Sequence, residues 1–303
     1  MHIPDGFLSA PVWAALDVLS VPAVAIMARR AQNDLGDRRI PLLGVMGAFV
    51  FAAQMINFPI PLGTSGHLVG GALLTIVLGP PAAALVMTAI LVIQAFVFQD
   101  GGVMALGANV FNMAIGGVLA GYVPYRLWAS QWRSAAIFAS GVLSVLVSAC
   151  LALSELGLSG VPLRGRGHLL AISLVLFFVS ALIEGAITLS AVRALERLNP
   201  TWVRGHSTAG SRVAGAVAMG SVLLVTIGIL IASAAPDGIM KLSVELGVPL
   251  RAWAHAPLAG YEWSGFESSW VRRAMAGLSG LVLIYGACVL TGRWILKPRP
   301  RSA

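Results

Sequence analysis

Residues 134–156 read SAAIFASGVLSVLVSACLALSEL, and the first charged side chain in that run is Glu155. A bilayer core about 30 Å thick takes roughly 20 apolar residues of helix to cross. The run has that length and character, so it reads as a membrane-spanning helix. Working outward, runs of the same kind occupy 11–28, 40–58, 67–79, 80–98, 108–125, 168–192, 212–234 and 274–292. The expected fold class is an all-α membrane protein, a polytopic helical bundle of about seven helices plus a C-terminal two-helix hairpin. The run 67–79 is short for a full crossing. It follows the glycine-rich stretch Gly63 to Gly71 and ends at Gly79-Pro80-Pro81. A tilted or partly re-entrant segment is expected there, because irregular backbone at membrane depth survives only against protein or water.

Composition supports the same solvent. Of 303 residues, 58% are hydrophobic and 11% are charged, against roughly 25% charged in a soluble domain. The net charge of +8 could point to nucleic acid. The basic residues instead sit at the ends of apolar runs, where they orient a membrane protein. No nucleic-acid partner is expected, and lipid is. With the N-terminus outside, fourteen of the twenty Lys and Arg fall in cytoplasmic segments, among them Arg29, Arg30, Arg38, Arg39, Arg193 and Arg197. The expected location is the cell inner membrane, multi-pass, with the C-terminus cytoplasmic. The start, MHIPDGFLS, has no basic region ahead of its apolar run and does not read as a secretory signal. Cys150 and Cys288 both lie in apolar segments and read as small packing residues.

Two parts are expected. Residues 1–200 form the main membrane body. Residues 201–303 form a hairpin around a long outer loop, about 235–273, with Pro236-Asp237-Gly238 and Trp253, Trp263 and Trp270. A polar linker, Asn199 to Ser211, joins them.

Enzyme signatures are absent: there is no G-x-x-x-x-G-K-[ST], no H-E-x-x-H and no G-x-S-x-G. The expectation is not an enzyme. The histidines are His2, His67, His168, His206 and His255. His2 stands next to a free α-amino group. An amine and the next backbone amide nitrogen close a five-membered ring on a metal; that amide and the imidazole Nδ1 of the same residue close a six-membered one. A fourth nitrogen from His67 completes a square, which suits Ni(II), Cu(II) or low-spin Co(II) better than tetrahedral zinc. The competing reading is a frayed terminal residue. Pro4-Asp5-Gly6, a tight-turn sequence, favours a terminus folded back onto the protein.

Asn57, Gln94, Asn109 and Asn112 are polar residues on an apolar background. They read either as interhelical hydrogen bonds or as support for a metal loop. Asp17 and Glu184 are the ionisable residues deepest in helices, and leave open a self-sufficient secondary metal carrier driven by ions. An intramembrane metalloenzyme using His168 and His255 is a third reading; the nitrogen square has no open position for it.

MHIPDGFLS at the start, QMINFPI at 54–60, GTSGHLVGG at 63–71 and GANVFNMAIGG at 107–117 stand in one order. Together they resemble the cobalt/nickel substrate-binding subunits of energy-coupling-factor (ECF) transporters, over about residues 1–200. The final hairpin resembles the small companion subunit of such transporters, fused here. The companion's Pro-Asp-Gly-Leu-Glu signature is replaced by Pro236-Asp237-Gly238-Ile239-Met240. The resemblance implies Ni2+ or Co2+ as transported substrate, held by Met1, His2 and His67. It also implies hydrogen-bond support from Asn57, Gln94, Asn109 and Asn112. A transmembrane coupling protein and cytoplasmic ATPase subunits are the implied partners.

Overall fold

The structure, a computed structural model, describes residues 1–60, 63–161, 167–199, 203, 211–233, 235–248 and 256–296. Among these, 7 helices are long and apolar enough to cross a membrane. They include α1 (Ala10–Asp34), α7 (Arg133–Leu158) and α8 (Gly167–Leu198). The shorter apolar α2 spans Ile40–Gln54. The sheet consists of one hairpin, β1 (Phe58–Ile60) antiparallel to β2 (Thr64–Gly66). The polytopic helical bundle expected from the apolar runs is the fold observed.

The short run after His67 forms α3 (Gly71–Leu78), eight residues that are all buried. The Gln54 amide nitrogen donates to the Val69 carbonyl at 2.8 Å, and Arg39 donates to the Val77 carbonyl at 3.3 Å. Gln54 and Arg39 stand at opposite ends of α2. The 69–78 segment therefore runs antiparallel along α2 as a shielded core element. Its non-helical start lies against protein and not lipid, as bilayer energetics demand.

α4 (Pro80–Ile93) continues into a π-helical turn, Gln94–Phe98. α5 (Leu106–Asn109) leads into a longer π-helical stretch, Val110–Gly117, and then α6 (Val118–Trp128). π-Bulges leave backbone carbonyls off the regular ladder and cluster at functional sites. Both of these adjoin a residue that touches the N-terminal segment, Gln94 or Asn109.

α9 (Ser211–Thr226) and α11 (Ser269–Leu296) pack on α2. Small residues permit this close approach. A Cβ on Gly44 would lie 2.6 Å from the Tyr285 ring, and one on Gly280 would collide with the Phe51 ring. Between those helices, α10 (Gly238–Leu246) buries Ile239 and Leu242 in one apolar cluster with Ile3, Phe7, Leu156 and Phe177. The N-terminal segment and the 235–248 segment thus share a core at one end of the bundle.

Candidate metal centre

The terminus is folded in. His2 is 4% exposed and Ile3 0%. The turn at Pro4-Asp5-Gly6 aims the Asp5 carboxylate at the backbone amides of Val103, Met104 and Ala105, 3.0, 2.9 and 3.2 Å away. Asn109 brackets Ile3, accepting its N–H at 2.8 Å and donating to its carbonyl at 3.1 Å. The Gly102 amide donates to that carbonyl too, at 2.9 Å. Gly101 sits at φ +90°, which side chains rarely adopt, and a Cβ there would press on Asn109 Nδ2 at 3.1 Å and His2 Cβ at 3.2 Å. The chain is thereby held as an extra strand of backbone among the helices.

Hydrogen-bond logic then sets both imidazoles. The Val69 carbonyl only accepts, so the Gln54 nitrogen faces it. Gln54 Oε1 therefore accepts from the Gln94 nitrogen at 2.8 Å, which leaves Gln94 Oε1 facing His2 Nε2 at 3.1 Å. An amide oxygen requires a donor, so His2 carries a proton on Nε2, and Nδ1 is the ring nitrogen left facing Asp100. That Nδ1 is buried with no hydrogen-bond partner, although Asp100 Oδ1 stands 3.2 Å away. His67 is fixed by the mirror argument. Its Nδ1 lies 2.9 Å from the Leu68 carbonyl, so Nδ1 carries the proton and Nε2 is bare. The two rings stack, with centroids 5.4 Å apart and planes 12° from parallel.

The Met1 amine donates to His67 Nε2 at 2.9 Å and to Asp237 Oδ2 at 2.7 Å. Metal–nitrogen bonds of about 2.0–2.1 Å at right angles place neighbouring donors about 2.9 Å apart, the separation of amine and imidazole here. Among the described residues no three His, Cys, Asp or Glu side chains form a ready-made cage. A metal at this point needs the amine and backbone nitrogen as well, and an orphaned buried Nδ1 fits that demand.

The electrostatics match. Burial, then the neighbouring amine and His2, push His67 down to about 4, so it stays a neutral ligand. Burial alone would raise Asp100, but His2 and the Tyr261 hydroxyl hold it well below the usual carboxylate range. Asp237 is also lowered, its burial outweighed by the amine and His67. Tyr261 donates to Asp100 Oδ2 at 2.5 Å and accepts from Gln94 at 3.2 Å, which closes the ring of contacts.

Of the residues expected from sequence, the structure brings Met1, His2, His67, Gln94 and Asn109 together. Asn57 lines a cavity of about 240 Å³ beside His67, Asp100 and Asp237; its carbonyl accepts from the Ser233 amide at 2.7 Å. Its side chain makes no hydrogen bond among the described residues. Asn112 departs from the expected role, since it donates to Glu155 Oε2 at 2.8 Å and does not reach the N-terminal segment. One helical turn separates it from Asn109, and the π-helical winding that begins at Val110 turns it toward α7. Asp17 and Glu184 both accept from backbone amides. His206, His255 and Trp253, and the side chain of His168, lie outside the described residues. Gln54, Asp100, Asp237 and Tyr261 escaped the sequence reading as site residues. Asp237 carried a signal in its Pro-Asp-Gly turn, and Gln54 in the QMINFPI stretch.

The chain is similar to known proteins in sequence and fold. A family described as the cobalt uptake substrate-specific transmembrane region matches residues 2–202. The fused nickel transport protein NikMN of Rhodobacter capsulatus is 32% identical over 308 aligned residues, covering 92% of this chain and 81% of the relative. The cobalt transport protein CbiM of Acetoanaerobium sticklandii is 35% identical over 163 residues, 52% of this chain and 67% of that one. A crystal structure of a transition metal transporter superposes with a TM-score of 0.59 at 32% identity, covering 69% of this chain and all of its own (100%).

Proposed function

The chain belongs to the family of cobalt-uptake substrate-specific transmembrane regions, and from that premise we propose that it captures Ni2+ or Co2+ on its own amino terminus for import. It is a multi-pass membrane component of cobalt or nickel transport. One observation carries the finer reading: the half-buried Met1 amine lies 2.9 Å from the bare Nε2 of His67. Met1 nitrogen, the His2 amide and Nδ1, and His67 Nε2 make four nitrogen donors, a set suited to a planar Ni(II) or Co(II) ion. Gln94 and Asn109 support it by fixing the His2 tautomer and the Ile3 backbone, the outer contacts that tune a metal ligand.

The rest of the reading follows the family. The N-terminus and the 235–273 loop face outside, and the C-terminus faces the cytoplasm of an inner membrane. A transmembrane coupling protein and cytoplasmic ATPases drive import, since the chain has no Walker A sequence of its own. Release inward needs a second state of lower affinity, which distortion of the nitrogen square supplies. The chain acts as the substrate-binding subunit, not as an enzyme. A self-sufficient carrier would need a free carboxylate in the membrane, and Asp17 and Glu184 are both engaged by backbone amides.

The test adds one residue ahead of Met1, or acetylates the amine, and measures Ni2+ and Co2+ binding by equilibrium dialysis. Binding is expected to vanish with the thermal unfolding of the protein unchanged, and His67→Ala is expected to do the same. Full binding after the amine is blocked overturns the reading.

A further inference from the structure

Away from the metal centre, a groove of about 750 Å³ opens between α1, α4 and α11. Its walls are small and apolar, with Val21 and Ala25 from α1, Ala89 from α4 and Ala287 from α11. Gln94, where α4 ends, bonds His2, so the Leu85 end of α4 is the one turned away from the metal centre. Gln32 donates from Nε2 to the Ile295 carbonyl at 2.7 Å, which ties the far end of α1 to the far end of α11. Arg29, Gln32 and Trp294 line the groove at that far end. Arg29 has no ion-pair partner among the described residues, and Trp294 is 71% exposed. The groove is thus apolar along its length and carries one unpaired cation at its outer limit.

We propose that this groove is a binding site for one anionic phospholipid, in the leaflet on the side away from the metal centre, with an acyl chain along the apolar walls and the phosphate at Arg29. The length fits. Val21 stands near the middle of α1 (Ala10–Asp34), and from there to Gln32 a helix rises about 16 Å. That is about half of a hydrocarbon core roughly 30 Å thick, the reach of a single leaflet. The chemistry fits as well. A guanidinium presents paired N–H donors that match a phosphate, and its apolar stem can lie along the groove while its head reaches the surface. Trp294 takes the level of the headgroups, where interfacial tryptophans collect. Basic pockets between membrane helices bind anionic headgroups in this way. On the orientation proposed above, the leaflet is the cytoplasmic one, which carries the anionic lipids. A crossing helix of another protein would need a groove of the full core thickness, and this one covers half. A second copy seated face to face would bring two Arg29 cations together. The inference does not depend on metal capture, since the groove lies at the other end of α1.

The test uses the full chain in detergent and native mass spectrometry, with dioleoyl phosphatidylglycerol and dioleoyl phosphatidylcholine as probes. Arg29→Gln is expected to lower retention of phosphatidylglycerol about 5-fold, the effect of one Arg at a headgroup, and to leave phosphatidylcholine unchanged. Arg126→Gln removes an exposed charge from the last turn of α6, outside the groove, and should change neither. Ala89→Phe fills the groove and should lower retention of both lipids. Equal losses in Arg29→Gln and Arg126→Gln, or no loss in Arg29→Gln, overturn the proposal. A second measurement works in native membranes, with a photoreactive benzoylphenylalanine in place of Val92, a wall residue 37% exposed. Adducts of phospholipid mass support the site; adducts with another protein or a second copy of the chain overturn it. Should Ala89→Phe fail to fold, Arg29→Gln and the cross-link decide.

Discussion

Glu184 holds Gly70 by its backbone: its Oε1 accepts the Gly70 amide at 2.8 Å, while Oε2 takes the amide of Val69 at 2.7 Å. These amides lie two and three residues beyond His67. They head α3 and would otherwise be buried without partners. The carboxylate is thus a splint between α8 and the segment that carries the distal imidazole.

Replacing Glu184 by Ala therefore leaves two buried amides unsatisfied, at about 1–3 kcal/mol each. A clear fall in thermal midpoint is expected, with weaker Ni2+ binding as His67 loses its support. Glu184→Gln keeps one acceptor and should be milder on both counts. Thermal unfolding and dialysis on the same preparations check this. Unchanged midpoints in Glu184→Ala would show that the splint contributes nothing.

Gln94 sets the His2 tautomer, so Gln94→Leu removes the acceptor for Nε2–H. A loss of roughly 10- to 100-fold in metal affinity is expected. Gln54→Leu acts one link further out and should cost less. Calorimetric titration of the two variants against the parent tests the order of effects.

Asn109→Ala cuts two of the bonds that hold Ile3. The expected result is a loosened N-terminus, read as faster amide exchange at Ile3 and faster trimming by an aminopeptidase. Metal affinity should fall with it. Protection equal to the parent would place the hold elsewhere, in Asp5 or the apolar contacts of Ile3.

His67 resists protonation down to about 4 in the folded protein, against 6.5 for an ordinary histidine. Between those values the unfolded chain carries the extra proton. Stability therefore rises with pH through that window and is lost as pH falls from 6.5 toward 4. Thermal midpoints in detergent should decline over that range without metal. In His67→Gln part of the slope should disappear.

Much of this was legible beforehand. Apolar runs of about 20 residues dictate helices, because lipid cannot satisfy a bare backbone. His2 stood out beside the α-amino group and His67 as a fourth nitrogen for a chelate, while Gln94 and Asn109 stood out because polar groups among apolar neighbours are costly and need a reason. Asn112 shows the limit. It looked equivalent to Asn109 three residues earlier, but a π-helical turn between them sends one to Ile3 and the other to Glu155. Local sequence does not reveal that change of winding.

By itself, then, the sequence determined a helical membrane bundle and a terminus with the atoms to chelate a metal, since hydropathy and donor chemistry are properties of the residues. Only the tertiary structure decided which donors meet. Asp237 and Tyr261 lie more than 160 positions from His67 along the chain, and they reach the site because α9 and α11 pack on α2 and bring the segment between them over the buried N-terminus. Such long-range closure depends on how whole helices fit together, and no local pattern encodes it.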